Sequence, residues 1–294
     1  MSDTLREAEQ AIWQNPPLFR STMLSSEIET KQTEGTVVWN SPPKDLSIPP
    51  GIKVAWSMPI YGPVPSQVYQ SHLAVAAYAS RHLAVHDLGG MPFVGTTDKM
   101  YLHSASNLLV EQFLMSDCTH LFWTEMDMMM PFWTIPVLLA HDKPIISGVY
   151  FLRKGDGQSC LYMKGDVPVT TGIHSLVPVS IFPEDSVFKV HCPGMGCVLF
   201  KREVFEKIEP PWFDLKEGYD RVRKTKTGYG QDVFFYSKVA NAGLDVWVDS
   251  SVHCIQQDIK YISIHDYRKK ISSPDFVPNG AIIGFGEEQG KAAQ

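Results

Sequence analysis

Two carboxylates stand inside an unusually apolar stretch of the sequence. Glu125 and Asp127 are two residues apart in HLFWTEMDMMMPFW, residues 120–133, where most of the other residues are aromatic or Met. Charged side chains are rarely buried unless they are paired or bind a metal ion. In an extended chain residues i and i+2 point to the same side, so both carboxylates would face one site.

Adjacent carboxylates repel each other, and a divalent cation is the usual relief of that repulsion. Oxygen ligands suit hard cations such as Mn²⁺ or Mg²⁺, which proteins commonly share with substrate phosphates. The pattern Glu125-x-Asp127 therefore indicates a metal and phosphate site. The alternative is a turn at the end of a strand in which both carboxylates are solvated.

The two carboxylates follow one strand in an alternating series of predicted strands and helices. Short apolar runs such as Ile52–Met58 and HLFWTE are typical of buried strands, and SQVYQSHLAVAAYASRHLAV has helical periodicity. The alternation predicts an α/β fold with a mixed, mostly parallel central sheet flanked by helices. Ligands of such open sheets bind beyond the carboxyl ends of the strands, where Glu125 and Asp127 are expected.

The chain of 294 residues suits one main domain with flanking segments. We assign residues 1–50 to an N-terminal extension with one short helix, 51–270 to the main domain, and 271–294 to a loosely held tail rich in Pro and Gly. Within the main domain, SASNLLVEQFLMSDC predicts a helix with Ser104 or Ser106 near its N-cap.

Composition limits the classes of function. The net charge of −6 gives no overall electrostatic case for nucleic acid or membrane binding. Five cysteines form no even framework, which favours a reducing compartment over a disulfide scaffold. The N-terminus lacks a signal-peptide pattern, and no apolar stretch reaches the length of a membrane span. We therefore expect a cytoplasmic protein without an integral membrane segment.

Four segments, in order and at matching spacing, resemble the nucleotide-sugar glycosyltransferases of the GT-A fold. The likeness is greatest to the broad family 2-like group, whose members often invert the anomeric centre, and it covers roughly residues 52–254. The segments are KVAWSMPIYG, SASNLLVEQFLMSDCTHLFWTEMDMMMP, HCPGMGCVLFKREVFEKI and GYGQDVFFYSKVANAGLDVWVDSSVHC. The resemblance implies a Rossmann-like GT-A fold.

The resemblance also implies a metal-dependent site. In such enzymes an acid-x-acid motif binds the divalent cation, Mn²⁺ or Mg²⁺, that holds the donor diphosphate. TEMDM takes this position, so Asp127 and Glu125 become metal and donor ligands, although the first acid is Glu where Asp is usual. His253 falls where many GT-A enzymes place a late histidine that completes the metal shell. Without the resemblance, His253 is a structural histidine.

Further donor-binding residues follow from the same resemblance. Pro59 and Tyr61 match the loop that cradles the base and ribose, and Gly194 and Gly196 match the loop beside the sugar and acceptor. Tyr61 could instead pack, and either glycine could instead form a plain bend. Asn107 matches the second residue of an Arg-Asn pair.

The resembled enzymes place a general base in an acidic pair at the start of a late helix. In GYGQDVFF the first acid is replaced by Gln231, so Asp232 becomes the candidate base for an inverting transfer. Its simpler interpretation is an acid favoured by the helix dipole. The implied partners are a UDP- or GDP-sugar and an acceptor hydroxyl on a glycan, a protein or a modified nucleic acid.

The loop before Asp232 allows two interpretations. Residues 214–229 are basic and are either a solvated surface or a lid that closes on the donor.

Two other classes of protein are alternatives to a glycosyltransferase. A GT-A-like nucleotidyltransferase would normally carry a basic, Gly-rich loop after the first strand, and PIYGPVPSQ has no Lys or Arg. A zinc-binding module would use five Cys and His residues that lack tight C-x₂-C spacing, namely His191, Cys192, Cys197, His253 and Cys254.

Overall fold

The computed structural model describes residues 46–85, 94–153, 157–170, 173–220, 225–257, 261–278 and 280–283. The helix predicted in the N-terminal extension and most of the C-terminal tail lie outside these residues. The strands are β1 Val54–Ile60, β2 Val94–Asp98, β3 His120–Thr124, β4 Met128–Met129, β5 Ile145–Val149, β6 Leu161–Thr170, β7 Ile173–Ile181, β8 Val187–Val190, β9 Cys192–Pro193, β10 Cys197–Lys201, β11 Lys216–Asp220, β12 Thr225–Tyr229, β13 Val246–His253, β14 Ile255–Gln257, β15 Tyr261–Ile262 and β16 Ala281–Ile282. The helices are α1 Ser66–Val85, α2 Leu102–Met115, α3 Thr134–Ala140, α4 Arg202–Lys207, α5 Gln231–Asn241 and α6 Ile264–Ile271.

A seven-stranded sheet with the order β2-β1-β3-β10-β5-β13-β8 forms the centre of the fold. Strand β1 is parallel to both β2 and β3, and β5 is parallel to β13. Strand β10 runs antiparallel between β3 and β5, and β8 runs antiparallel at the edge beside β13. Five of the seven strands therefore point the same way, which confirms the predicted α/β class with a mixed, mostly parallel sheet.

Both faces of the central sheet are buried, which explains the continuous apolar runs of its strands. Successive side chains of a strand point to opposite faces. Trp123 of β3 accordingly packs in the cluster that includes Phe205 and Phe235 of helices α4 and α5. Phe122 points the other way, into the cluster that contains Val75 of α1 and Leu138 of α3. Helices thus cover the sheet on both sides and leave its carboxyl edge for the site.

Smaller sheets extend the fold around that edge. The order β16-β7-β6-β9 gives a four-stranded sheet, and β15-β14-β4 gives a three-stranded one. Strands β11 and β12 pair antiparallel, so the segment 214–229, which we expected to be a polar loop on the surface or a lid, contains two paired strands. Pairing of Ala281–Ile282 with β7 ties part of the tail that we expected to be loosely held. Strands β6 and β7 pair antiparallel.

The predicted cap of helix α2 is wrong. The helix begins at Leu102 with Tyr101 as its N-cap and without a side-chain cap, one turn earlier than Ser104 or Ser106 would place it. Ser106 is buried and its hydroxyl donates to the Leu102 carbonyl at 2.8 Å and contacts Gln231 Oε1 at 3.0 Å. Its hydroxyl thus serves tertiary packing. No helix in the described part of the chain is both long enough and apolar enough to cross a membrane.

Candidate functional site

A tight turn holds the two carboxylates of the Glu125-x-Asp127 motif at the carboxyl end of β3. The Glu125 amide donates to the Gly196 carbonyl at 3.4 Å, and the Met128 amide donates back to the Glu125 carbonyl at 3.2 Å. The Gln257 amide donates to the Asp127 carbonyl at 2.7 Å and fixes the other side of the turn. Asp127 is buried, at 6% exposure, and Glu125 is half-buried. Backbone bonds from three parts of the chain therefore position the motif.

Asp127 is paired with a cation from another strand end. The Arg153 Nη2 group, beyond the end of β5, forms an ion pair with Asp127 Oδ2. The amide Nε2 of Gln256 donates to the same oxygen at 3.3 Å. The second oxygen, Oδ1, is buried and has no hydrogen-bond partner among the described residues. One oxygen of this carboxylate is thus neutralised and the other is available to a ligand.

Asp232 lies close enough to Glu125 to affect the pKa of Glu125. Burial, and then the Asp232 carboxylate, raise the pKa of Glu125 to about 7, while Arg153 opposes this rise. Asp232 lies in the first turn of α5, where its own amide and that of Val233 donate to its carboxylate. Burial outweighs these bonds and raises the pKa of Asp232. Glu125, Asp127, Arg153 and Asp232 form one group, which we call the acidic site.

The predicted third metal ligand, His253, is not gathered with the other two. Burial, and then Arg268, lower the pKa of its imidazole, while Glu184, Asp185 and the backbone of Ser250 oppose this shift. A shift of register in β13 between Val248 and His253 alters the spacing, and the late residue that contacts Asp127 is Gln256. Among the described residues, no group of three or more His, Cys, Asp or Glu side chains is placed to hold a metal ion. The same finding covers the zinc set that the sequence left open.

The acidic site nevertheless fits a cation that is shared with a phosphate ligand. Mg²⁺ commonly keeps several water ligands and takes only one or two carboxylates together with substrate phosphates. Asp127 Oδ1 is a buried carboxylate oxygen without a partner in the described structure, and Glu125 supplies the second carboxylate of the motif. Two protein ligands, Asp127 and Glu125, are enough for such a site.

The end of β1, which contains Pro59, and the start of the loop after it lie beside the acidic site. Pro59 pairs in register with Thr97 of β2, close to the end of β1. The Tyr61 amide lies 3.5 Å from the sulfur of Met126, the residue between the two acids. The Tyr61 side chain is 51% exposed, so it is available to a ligand at this edge. Contact of Pro59 and Tyr61 with a donor stays a prediction.

Asn107 has a structural role that sequence reasoning missed. Its amide nitrogen donates to the carbonyls of His103 and Phe213, at 2.9 and 2.7 Å. Its amide oxygen accepts from the backbone of Trp212 and Phe213, at 2.9 and 3.1 Å. An Asn amide offers two donors and two acceptor positions, and all four are used. In this structure Asn107 holds the loop before β11 and has no hydrogen bond left for a donor.

The two glycines between β9 and β10 allow the backbone to pack closely against Tyr150. A Cβ on Gly194 would lie 1.6 Å from the Tyr150 hydroxyl, and one on Gly196 would lie 2.9 Å from its Cε1. The Gly196 amide donates to that hydroxyl at 3.3 Å, and the Gly194 amide donates to the Cys160 carbonyl at 2.9 Å. The loop thus packs its backbone on the buried ring of Tyr150. A direct donor contact by Gly194 or Gly196 stays a prediction.

We expect Gly194→Ala to destabilise the fold by about 1–3 kcal/mol, the usual cost of overpacking a well-packed core. The methyl group would overlap the Tyr150 hydroxyl and force the ring to move. Urea unfolding followed by tryptophan fluorescence measures the change in the free energy of unfolding. Gly62→Ala is the matched control, because a Cβ there meets only Met126 Cε at 3.7 Å. Equal stability of the two variants would contradict this packing role.

Arg153 and Gln256 are the functional candidates that sequence reasoning missed. A signal for Arg153 was present, since it is a cation at the end of the predicted strand KPIISGVYFLR, and strand ends at this edge carry the site. No such signal existed for Gln256, whose position depends on the pairing of β14 with β4. A hydrogen bond between the side chains of Ser106 and Gln231 joins α2 to the start of α5 and orients the turn that carries Asp232.

Comparison with known proteins gives likeness at the level of structure alone. No protein-family model matches the sequence, and no curated protein matches it. Among solved structures, A197 from STIV is 16% identical, with a TM-score of 0.47, over 73% of this chain and 92% of that chain. GalNAc-T7, solved with UDP, GalNAc and Mn²⁺, is 10% identical, with a TM-score of 0.46, over 86% of this chain and 52% of that chain. The inositol-1-phosphate CTP transferase from T. maritima is 12% identical, with a TM-score of 0.39, over 71% and 90% of the two chains.

Proposed function

We propose that the protein is a glycosyltransferase that moves a sugar from a nucleotide-sugar, a UDP- or GDP-sugar, to an acceptor hydroxyl with inversion. The observation that carries this proposal is the meeting of three carboxylates at the carboxyl edge of the sheet. Glu125 and Asp127 come from the end of β3, and Asp232 comes from the first turn of α5. The sequence resemblance supports the same reaction.

The carboxylates divide into two roles. Asp127 and Glu125 would hold Mn²⁺ or Mg²⁺ against the donor diphosphate, where the bound cation acts as a Lewis acid toward the leaving group. Asp127 brings a buried, unpartnered oxygen to this task, since the described residues leave Oδ1 without a hydrogen bond. The exposed side chain of Tyr61, whose backbone amide lies 3.5 Å from the sulfur of Met126, would provide a surface for the nucleoside at the same edge.

Asp232 is suited to accept the proton of the acceptor hydroxyl. In direct displacement the acceptor oxygen bonds to the anomeric carbon, the bond to the diphosphate breaks, and the hydroxyl proton passes to the base. Burial raises the pKa of Asp232, which makes its carboxylate a better base than a solvated one. The amides of Asp232 and Val233 hold this carboxylate in place at the start of α5.

A panel of nucleotide-sugars tests the proposal. The purified protein with Mn²⁺ and a single nucleotide-sugar should release free nucleoside diphosphate, faster when a suitable acceptor is added. Release is measured by an enzyme-coupled assay for UDP and GDP, and the Asp232→Asn variant is the control for contaminating activity. Release of pyrophosphate from a nucleoside triphosphate and a sugar phosphate would instead identify a nucleotidyltransferase and overturn the proposal.

A further inference from the structure

We propose that Arg153 is a donor-binding residue that neutralises Asp127 until the donor arrives and then binds the donor diphosphate. The inference rests on the proposed function and adds a residue and a binding order to it. It also explains why the Glu125-x-Asp127 motif is already paired with a cation from its own chain.

The backbone just before Arg153 is held by hydrogen bonds, while the Arg153 side chain reaches from solvent into the acidic site. The Leu152 amide donates to the Gln158 carbonyl at 2.8 Å, and Phe151 forms a bridge with Ser159. The Arg153 side chain is 46% exposed, whereas the Asp127 side chain that it contacts is 9% exposed. The side chain thus contacts a buried carboxylate while nearly half of its surface is open to solvent or to a ligand.

The guanidinium acts on both acids of the motif. It pairs with Asp127 Oδ2, and its charge is also among the influences on the neighbouring Glu125. Within the described residues, Arg153 has no ion pair with any other carboxylate. The net charge of the Glu125-Asp127 pair is therefore already partly balanced before any ligand binds.

A divalent cation at Asp127 would lie close to the positive guanidinium. Like charges repel strongly at a site that is partly shielded from water, so the cation alone gains less from Asp127 than an unpaired carboxylate would give it. Arg153 can relieve this repulsion only by leaving Asp127 for another anion. The exposed half of its side chain lets it do so without burying an unpaired charge.

A diphosphate is the anion that matches the departing guanidinium. The planar guanidinium presents paired N–H donors that bind phosphate oxygens in a bidentate way. A nucleoside diphosphate beside the motif would accept these hydrogen bonds, and its negative charge would replace that of Asp127 as the partner of Arg153. Cation and nucleotide binding should therefore be coupled, and such coupling is reciprocal by thermodynamic necessity.

Binding of Mn²⁺ alone tests the inference. Titration of the protein with Mn²⁺, with free Mn²⁺ followed by electron paramagnetic resonance, gives the affinity without UDP or GDP and then with each of them. For the wild-type protein we expect Mn²⁺ affinity to rise at least ~10-fold when the matching nucleotide is present. For Arg153→Gln we expect tighter binding of Mn²⁺ alone, by at least ~10-fold, and a smaller gain on adding nucleotide.

Two further variants show whether the positive charge of Arg153, its bidentate geometry or the loss of any surface cation changes Mn²⁺ binding. Arg153→Lys keeps the positive charge but not the bidentate geometry, so it should bind Mn²⁺ alone as weakly as the wild type and show less coupling. Lys53→Gln removes a cation that pairs with Asp117 at the amino end of β1, the opposite edge of the sheet, and should behave as the wild type.

The outcomes distinguish this inference from the proposed function. If Asp127→Asn abolishes Mn²⁺ binding while Arg153→Gln changes neither affinity nor coupling, the role of Arg153 is refuted and the cation site stands. If neither the wild type nor Arg153→Gln binds Mn²⁺ with UDP or GDP, both the cation site and the role of Arg153 fail.

Discussion

Asp232→Asn should lower turnover of the proposed transfer by about two to four orders of magnitude and leave donor affinity nearly unchanged. Asn keeps the shape of the side chain and removes its basicity, so the hydroxyl proton loses its acceptor. The carboxylate comes from the start of α5, a different segment from the turn after β3 that carries Glu125 and Asp127. Steady-state kcat measures the loss of turnover, and calorimetric titration with nucleoside diphosphate and Mn²⁺ measures donor-site affinity.

The pH dependence of turnover also tests the role of Asp232 as the base. Burial raises the pKa of Asp232 above its ordinary value of 3.8, so the basic form is lost at a higher pH than for a solvated Asp. Turnover of the wild type should therefore fall as pH drops through this raised pKa, whereas Asp232→Asn should lack that fall. Asp245→Asn, on an exposed pair with Lys189, is the control. A near-normal rate for Asp232→Asn, or a product of retained configuration by NMR, would refute the assignment.

Asp127→Asn should remove the dependence of nucleotide binding on Mn²⁺. Asn keeps the oxygen facing the site but loses the negative charge that attracts a cation and balances Arg153. We expect the affinity for nucleoside diphosphate in the presence of Mn²⁺ to fall by about 100-fold, equivalent to about 2.7 kcal/mol. Calorimetry with and without Mn²⁺ measures the difference between the two proteins.

The interpretation of this variant requires that the fold survives. Asp127 Oδ2 accepts from Gln256, and an Asn at position 127 can keep a hydrogen bond there, so thermal unfolding monitored by circular dichroism should change little. Glu125→Gln is a useful comparison, since it alters the other acid of the motif and leaves the pair of Asp127 with Arg153. If the wild type binds nucleotide equally well in excess chelator, the cation has no role in donor binding.

The layered sheet followed from local properties of the chain. Strands such as β3 and β5 are buried on both faces, so their sequences are continuously apolar and are recognisable without knowledge of their neighbours. Their alternation with helices predicts parallel strands, and the carboxyl edge then follows as the place of the site. For the same reason the positions of Glu125, Asp127 and Asp232 at strand and helix ends were predictable.

The contacts of the site depended on pairings between distant segments. Arg153 reaches Asp127 because β5 and β3 both flank β10, an antiparallel strand inserted from much later in the chain. Gln256, in place of His253, contacts Asp127 because β13 shifts register before β14 pairs with β4. A register shift has no reliable mark in sequence, since it is set by packing around the strand.

Two residues that differ from those of the resembled enzymes form a hydrogen bond with each other in the folded chain. Ser106 stands where the resembled enzymes commonly have Arg, and Gln231 stands where they have an acid, yet the two side chains bond to each other at 3.0 Å. The sequence by itself determined the α/β architecture, the edge that carries the site and the carboxylates there, because these depend on local periodicity and residue type. The tertiary structure alone decided the partners of those carboxylates, because hydrogen bonds and ion pairs between different strands and helices depend on strand order and register.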